Sequence, residues 1–488
     1  MTRLFLASAL AFALPAAAPA ADAAPPLRVG IVSDTHVKGD ANKDLAFCRK
    51  AFETFRDAHV DAVVVPGDLV DDGQVEQLRE FAAVWREVFP GDALPDGTHV
   101  VKFFIYGNHD SSSLAQGIAQ RNLRNAARLW GEDAAKDHLM AYHEGEMWKE
   151  VFGEPWAPVY AKTIKGHVFV GCHWGHETET AAWLAANADR LGLRGSKPFF
   201  YVQHPHPGGT VQSHNGEFAW GNDGGVATRA LAGFPNAVAL SGHSHYPLSD
   251  EQSIWQGGFT SVNCSSSAYL GRRDGRDNGE WENHGRKGRK VGPVPVAARF
   301  WHGRHAMLLD VHPDRFVFRR IDLLHGLPLG TDWTCPVPAC VDDASRPYAF
   351  AASSRVGVPR FPADAASRIG VSMREGKDRA GKEGPIVAVS FPVALSDGPD
   401  GRVFEYEVTA ENVGYGIVRV AEQKRVLTAR IDDAWELEKA SPDARAECLF
   451  RLDELPQEIP VRFRIAPLNS FGAAGEAIVS DAVRLPLD

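Results

Sequence analysis

Residues that could do chemistry occur at five points of the sequence, each directly after a short apolar run. Asp34 and His36 follow "LRVGIVS", and Asp68 and Asp71 follow "VDAVVVP". The motif "GNHD" follows "VVKFFIY", "HPH" follows "PFFYVQ" and "GHSH" follows "NAVALS". Carboxylates, an amide and imidazoles together are ligands that transition metals take in proteins. The five motifs therefore predict a metal site.

The number of candidate donors exceeds what one metal ion needs. A carboxylate that bridges two ions about 3.5–4 Å apart would use them and would support hydrolysis by a metal-bound hydroxide. Without metal, such a cluster of charges would be costly in a partly buried place. Each motif alone also fits a turn with structural side chains. The prediction of a metal site depends on all five occurring together.

The segments between the motifs predict how the donors are positioned. From residue 27 to about residue 240, apolar runs rich in Val, Ile and Phe alternate with helix-like segments. Leu45, Cys48, Phe52 and Phe55 recur at spacings of three and four, which predicts one buried helical face. Alternating strands and helices indicate an α/β layered fold. The carboxyl ends of its strands form a shared rim, where the motifs are expected to meet.

The order "DTH", "GDLVDDG", "GNHD", "H" and "GHSH" resembles that of the calcineurin-like metallophosphoesterase superfamily, over residues 27 to about 325. The resemblance implies a four-layer αββα sandwich and a small phosphate ester as substrate. It also implies two divalent or mixed-valence transition-metal ions, which would be Mn, Zn or Fe. Purple acid phosphatases of this superfamily have a tyrosine ligand shortly after the bridging Asp. Here Leu69, Val70 and Asp71 follow Asp68, so a tyrosinate–iron centre is not expected.

Carried over residue by residue, the resemblance gives each motif residue a role. The first metal would be bound by Asp34, His36, Asp68 and His245. Asp68 would bridge to a second metal, which would be completed by Asn108, His204 and His243. His109 would protonate the leaving oxygen and would be oriented by Asp71. The neighbouring histidines, which are His173, His176 and His206, are left open between the phosphate pocket and ordinary hydrogen bonding.

The remainder of the 488 residues is expected to form a leader and a second domain. Residues 1–20 combine an early Arg3, an apolar run and small residues, which predicts a signal peptide and export to the periplasm or the medium. The catalytic domain is assigned to residues 27–330, a linker or packing segment to 331–384, and an all-β domain to 385–488. In this last domain "VRFRIAPLNSFGAAGEA" resembles part of a fibronectin type III domain.

Composition limits the classes of function. A net charge of -10, without a basic groove laced with aromatic residues, gives no strong nucleic-acid signal. After the leader, no segment is long and apolar enough to cross a bilayer. The sequence does not decide the oligomeric state, nor whether Cys335 and Cys340 form a disulfide.

Two interpretations of function remain. The first is an exported phosphoesterase acting on phosphate mono- or diesters. The second is a catalytically inactive surface-binding protein that uses its C-terminal β-domain. Because every core ligand and His109 are present, the sequence favours the enzyme. All candidate ligands precede residue 246, so the C-terminal domain is expected to be dispensable for the chemistry.

Overall fold

The structure is a computed structural model and describes residues 27–38, 43–110, 117–213, 221–271, 299–300, 303–339, 345–378, 381–414, 417–428, 434–435 and 444–486. The predicted signal peptide lies outside these residues, and so does Cys340. None of the helices in this part of the chain has the length and apolarity needed to span a bilayer.

The motif-bearing domain consists of short strands and helices that alternate in its first half. Its strands are β1 (Leu27–Ile31), β2 (Ala62–Pro66), β3 (Val101–Ile105), β4 (Val159–Ile164), β5 (His167–Cys172), β6 (Phe199–Val202), β7 (Ala237–Ser241), β8 (Ile254–Gln256), β9 (Thr260–Asn263), β10 (Leu270–Gly271), β11 (Arg299–Phe300), β12 (His305–Val311), β13 (Arg315–Asp322), β14 (Leu327–Pro328) and β15 (Trp333–Pro336). Its helices are α1 (Lys43–Asp57), α2 (Val75–Val88), α3 (Gly117–Trp130), α4 (Glu144–Phe152), α5 (Thr180–Asn187) and α6 (Val226–Leu231).

Two mixed sheets form the centre of this domain. One has the strand order β14-β13-β12-β1-β2-β3, with β15 also paired to β13, and the other has the order β4-β5-β6-β7-β9-β8. The first three strands run parallel to one another, and so do β5, β6, β7 and β9. Parallel strands place their carboxyl ends on one edge, so each sheet presents one rim of strand ends.

Apolar side chains divide the domain into four layers. Helices α1 and α2 cover the first sheet through residues such as Phe52 and Trp85. Side chains of both sheets, among them Val29 and Phe200, form the middle core. Helices α5 and α6 cover the second sheet through Leu184 and Leu231. The predicted four-layer αββα sandwich is confirmed.

The C-terminal part is an antiparallel β-domain, as predicted. Its strands are β16 (Gly370–Lys377), β17 (Glu383–Pro392), β18 (Glu405–Gly414), β19 (Ile417–Leu427), β20 (Arg445–Arg451), β21 (Val461–Leu468) and β22 (Ile478–Val479). They form one sheet of three strands, β16-β17-β20, and one of four, β19-β18-β21-β22. Side chains from both sheets share a single core. The fibronectin type III resemblance stays a prediction.

The segment between the domains, residues 331–384, contributes to both of them. Strand β15 extends the first sheet of the motif-bearing domain by pairing with β13. Strand β16 is an edge strand of the three-stranded sheet of the C-terminal domain. The sequence signals there are weak because each strand is short or exposed, and its partner strand determines its position.

Candidate metal centre

The two rims bring all seven predicted ligands to one place. Asp34 and His36 follow β1, Asp68 follows β2 and Asn108 follows β3. The second sheet contributes His204 after β6, and His243 and His245 after β7. All of these except His243 are at most 4% exposed. His36 and His245, which are 209 residues apart in the sequence, thereby come within hydrogen-bonding distance of each other.

One cluster of donors matches the predicted first metal site. Ligand atoms of Asp34, His36, Asp68 and His245 all lie within 4.8 Å of one another. Nε2 of His245 is 2.9 Å from Oδ1 of Asp34 and 3.2 Å from Nε2 of His36. Nε2 of His36 is 3.6 Å from Oδ2 of Asp68. These four atoms converge from three strand ends.

A second cluster shares Asp68 with the first. Ligand atoms of Asp68, His204 and His243 also lie within 4.8 Å of one another. Nε2 of His204 is 3.1 Å from Oδ2 of Asp68 and 3.0 Å from Oδ1 of Asn108. Asp68 is therefore common to both clusters.

Hydrogen bonds orient three of the imidazoles. Nδ1 of His36 contacts the Asp71 carboxylate at 2.9 Å, that of His204 contacts the carbonyl of Pro66 at 2.7 Å, and that of His245 contacts the carbonyl of Tyr269 at 2.8 Å. A carbonyl accepts only from a protonated nitrogen, so the lone pairs of the neutral rings are on Nε2 and point into the cluster. The same arrangement orients metal-binding histidines in general.

The backbone at the ligands is strained. Asp34, His36, Asp68, His243 and His245 have φ values between 44° and 66°, in the left-handed region that side chains with a Cβ rarely adopt. Such conformations cost of order 1–3 kcal/mol each and cluster at functional sites. Five of the seven ligand candidates therefore have a strained backbone conformation that the surrounding structure must hold in place.

Glycine before a ligand permits the close approach of the strand ends. A Cβ on Gly107 would overlap the carboxylate and backbone N–H of Asp68, and one on Gly242 would overlap Ser33 and the Asp34 carboxylate. The glycines of "GNHD" and "GHSH" are thus required by packing between neighbouring motifs.

The charges of the cluster depend on one another. Burial by itself would raise the pKa of Asp34, but the charges of His245 and His204 outweigh it and hold that pKa below its usual value. Burial likewise opposes a charge on His204, but Asp68 and Asp34 raise its pKa to about 9. Burial and the charge of His204 hold the pKa of His243 well below its usual value. The buried carboxylates thus need an adjacent positive charge, from a proton or a metal ion.

His109 lies beside both clusters, and its contact with Asp71 differs from the expected one. Its Nδ1 is 2.6 Å from the main-chain carbonyl of Asp71 and 3.5 Å from the carboxylate. The carboxylate instead contacts Nδ1 of His36 at 2.9 Å and Nζ of Lys38 at 3.0 Å. Asp71 therefore orients His109 through its main chain, because its side chain is engaged by a ligand candidate. Burial lowers the pKa of His109 below its usual value.

Asp110 is a site residue that the sequence reasoning did not assign. Its carboxylate accepts hydrogen bonds from the backbone N–H groups of Leu69, Val70 and Gly107 at 2.9–3.1 and 2.7 Å. Burial and the charge of Asp68 raise its pKa to about 7, while the three donors favour its ionised form. Asp110 thus links the "GNHD" and "GDLVDDG" loops through hydrogen bonds. In the sequence, only its position next to His109 could have indicated that it belongs to the site.

The three histidines left open by the sequence lie in different environments. His173 is buried among aromatic rings and accepts a hydrogen bond from the Tyr106 N–H at 2.9 Å, so it belongs to the core. His176 pairs with Glu179 at 2.6 Å near the surface. His206 is fully buried, and burial lowers its pKa to about 4. Neither His173 nor His176 is among the clustered donors.

Comparison with known protein families identifies the domain that carries these motifs. Residues 27–247 match the family model of the calcineurin-like phosphoesterases. This part of the chain therefore belongs to the calcineurin-like phosphoesterase family, which makes it a metal-dependent phosphoric ester hydrolase. A search of curated proteins found no match.

A search of solved structures also found matches. A dimetal phosphatase from Danio rerio is 12% identical, with 64% of this chain and 98% of that chain covered and a TM-score of 0.36. A purple acid phosphatase from yellow lupin seeds is 13% identical, with 64% and 54% covered and a TM-score of 0.39. GAP50, the anchor in the inner membrane complex of Plasmodium, is 13% identical, with 64% and 89% covered and a TM-score of 0.36.

Proposed function

We propose that this protein is an exported phosphoesterase with two metal ions, which hydrolyses phosphate mono- or diesters. The observation that carries the proposal is the pair of Nε2 atoms of His36 and His245, 3.2 Å apart, with both rings anchored through Nδ1. Two nitrogen lone pairs at this distance repel each other unless a proton or a metal ion lies between them. The shared carboxylate of Asp68 favours two ions over one.

The donor set fits the metals that the sequence suggests. Four residues, Asp34, His36, Asp68 and His245, would hold the first ion. Three further residues, Asn108, His204 and His243, would hold the second ion together with Asp68. Imidazole with carboxylate and amide oxygen suits Zn, Fe or Mn. When bound, the ions would withdraw charge from the phosphate and lower the pKa of an attacking water towards neutrality.

The protein's own groups complete the chemistry around the phosphate. In its doubly protonated form, His109 would donate the Nε2 proton to the leaving oxygen and keep the Nδ1 proton on the Asp71 carbonyl. The backbone N–H of His109 contacts Oδ1 of Asp68 at 2.9 Å, which keeps the proton donor in register with the bridging ligand. Export is supported by the leader-like residues 1–20.

The metal assignment is tested by elemental analysis and by assays of phosphate esters with the metal-depleted protein and each added metal. We expect two transition-metal ions per chain and metal-stimulated hydrolysis. Asp68→Asn should lose metal and activity together, because the bridge contributes to both sites. A wild-type protein without bound metal and without metal-stimulated hydrolysis would refute the proposal.

The role of His109 is tested separately. His109→Ala should lower kcat by about 10²–10⁴-fold for alkyl phosphates with metal content unchanged. The loss should be small for 4-nitrophenyl phosphate, whose leaving oxygen needs little protonation. His243→Ala is the matched comparison, since it should lower metal content and slow all esters alike. Equal slowing of both ester types by His109→Ala would exclude it as the proton donor.

A further inference from the structure

The environment of His109 contains a cation that no motif predicts. Arg121 lies in the first turns of α3, eleven positions after Asp110, and its side chain is 37% exposed. Its Nη2 is 2.6 Å from the main-chain carbonyl of Asp71 and 3.1 Å from Nδ1 of His109. The guanidinium therefore lies against the side of the imidazole that faces away from Nε2.

Two donors share the Asp71 carbonyl. Nδ1 of His109 and Nη2 of Arg121 each lie 2.6 Å from this oxygen, which has two lone pairs. Nδ1 must carry a proton, because an unprotonated nitrogen 2.6 Å from a carbonyl oxygen would be repelled. Arg121 cannot accept a hydrogen bond, so its Nη2 leaves the carbonyl as the sole acceptor for that proton. The ring is thereby fixed with Nε2 directed to the other side.

The carboxylates nearest to the Arg121 guanidinium are engaged mainly by other groups. Its nearest carboxylate oxygens are Oδ1 of Asp72 at 3.6 Å and Oδ2 of Asp71 at 4.0 Å, both longer than a direct hydrogen bond. Asp72 is also bound by the side chains of Gln77 and Asn125. The Asp71 carboxylate is held by His36 and Lys38.

We infer that Arg121 is a positioning residue for the proton donor, an inference that rests on the proposed function of His109. It fixes the plane of the imidazole through the shared carbonyl, so that Nε2 faces the leaving oxygen. The Asp71 carboxylate, in contrast, acts on the metal site through His36. Loss of Arg121 should therefore impair proton donation, and loss of the Asp71 carboxylate should impair metal binding.

The test is a double-mutant cycle with Arg121→Gln and His109→Ala on the full-length, metal-loaded protein. We expect Arg121→Gln to lower kcat for an alkyl phosphate by about 10- to 100-fold, a part of the roughly 10²–10⁴-fold from general acid catalysis. For 4-nitrophenyl phosphate the loss should be under about 3-fold, and metal content should not change. In the His109→Ala background, Arg121→Gln should have no further effect, because residues acting through one group are not additive.

Two further variants separate positioning from a general structural effect. Arg124→Gln, three residues further along the same helix and exposed, should leave both rates unchanged. Arg121→Lys should restore part of the alkyl phosphate rate, since an ammonium group can also donate to the carbonyl. Equal loss on both esters, loss of metal, or full additivity with His109→Ala would overturn the inference. Absence of a leaving-group effect in His109→Ala itself would instead refute the proposed function, and the inference with it.

Discussion

The catalytic domain and the β-domain meet at a buried arginine, and replacing it should weaken the metal site. Arg320 on β13 is fully buried and donates to the carbonyl of Leu248 at 2.9 Å, to Glu251, and to Asp400 of the C-terminal part at 2.9 Å. Leu248 and Glu251 belong to the loop that follows His245. One side chain thus ties a metal-ligand loop to both domains.

The expected cost of Arg320→Met follows from the charge that it leaves behind. Glu251 is 2% exposed and would lose its nearest counterion. Removal of one partner of a buried ion pair costs about 3–5 kcal/mol. Arg355 remains 3.8 Å from the Glu251 carboxylate, so we expect the lower end, about 3 kcal/mol in the free energy of unfolding. Faster loss of metal to a chelator should accompany it.

Equilibrium unfolding in urea measures the free energy of unfolding, and the rate of metal release to a chelator measures the metal site. Arg319→Met is the matched control on the same strand, because Arg319 is 46% exposed and its partner Asp310 keeps Arg28 at 2.6 Å. It should cost less than about 1 kcal/mol. Adding Glu251→Gln to Arg320→Met should recover part of the loss, since the uncompensated charge is removed. If Arg320→Met costs no more than Arg319→Met, the reasoning is wrong.

Three further outcomes are expected. A chain ending at residue 330 should fail to retain metal in elemental analysis, contrary to the expectation from the sequence, because β15 and Asp400 support the loop after His245; a soluble, metal-loaded and active truncated protein would contradict this. Gly107→Ala should lose metal, since its Cβ would overlap Asp68, whereas Gly97→Ala, where a Cβ meets no neighbour, should cost only backbone strain; equal metal content in both would count against the packing argument. In the metal-depleted protein, the pKa of His204 is raised from 6.5 to about 9, so its stabilising contribution is complete below pH 6.5 and is lost as the pH rises through about 9. That loss is at most roughly 3 kcal/mol in urea unfolding and should be absent from the metal-loaded protein.

The sequence by itself determined the chemistry and the class of fold. Donors placed directly after apolar runs could only meet at a sheet rim, since strand ends of parallel strands are adjacent whatever the loops between them do. Helix α1 was readable for a similar reason: Cys48, Phe52 and Phe55 alternate at helical spacing, and they are fully buried in the structure. Such local periodicity marks the face of a helix or strand that is buried in the core.

Only the tertiary structure decided which partner each group takes. Strand β12 pairs with β1, so that Ile31 lies opposite Met307, 276 residues later in the chain. The sequence did not predict this pairing, because pairing between distant strands leaves no local pattern. The Asp71 carboxylate is hydrogen-bonded to Nδ1 of His36 at 2.9 Å and lies 3.5 Å from Nδ1 of His109, a difference of less than 1 Å that no sequence pattern records. Arg121 and Arg320 resemble ordinary charged residues in the sequence. Their burial and their partners arise from packing between elements, and periodicity records burial of a face but not the identity of the group that covers it.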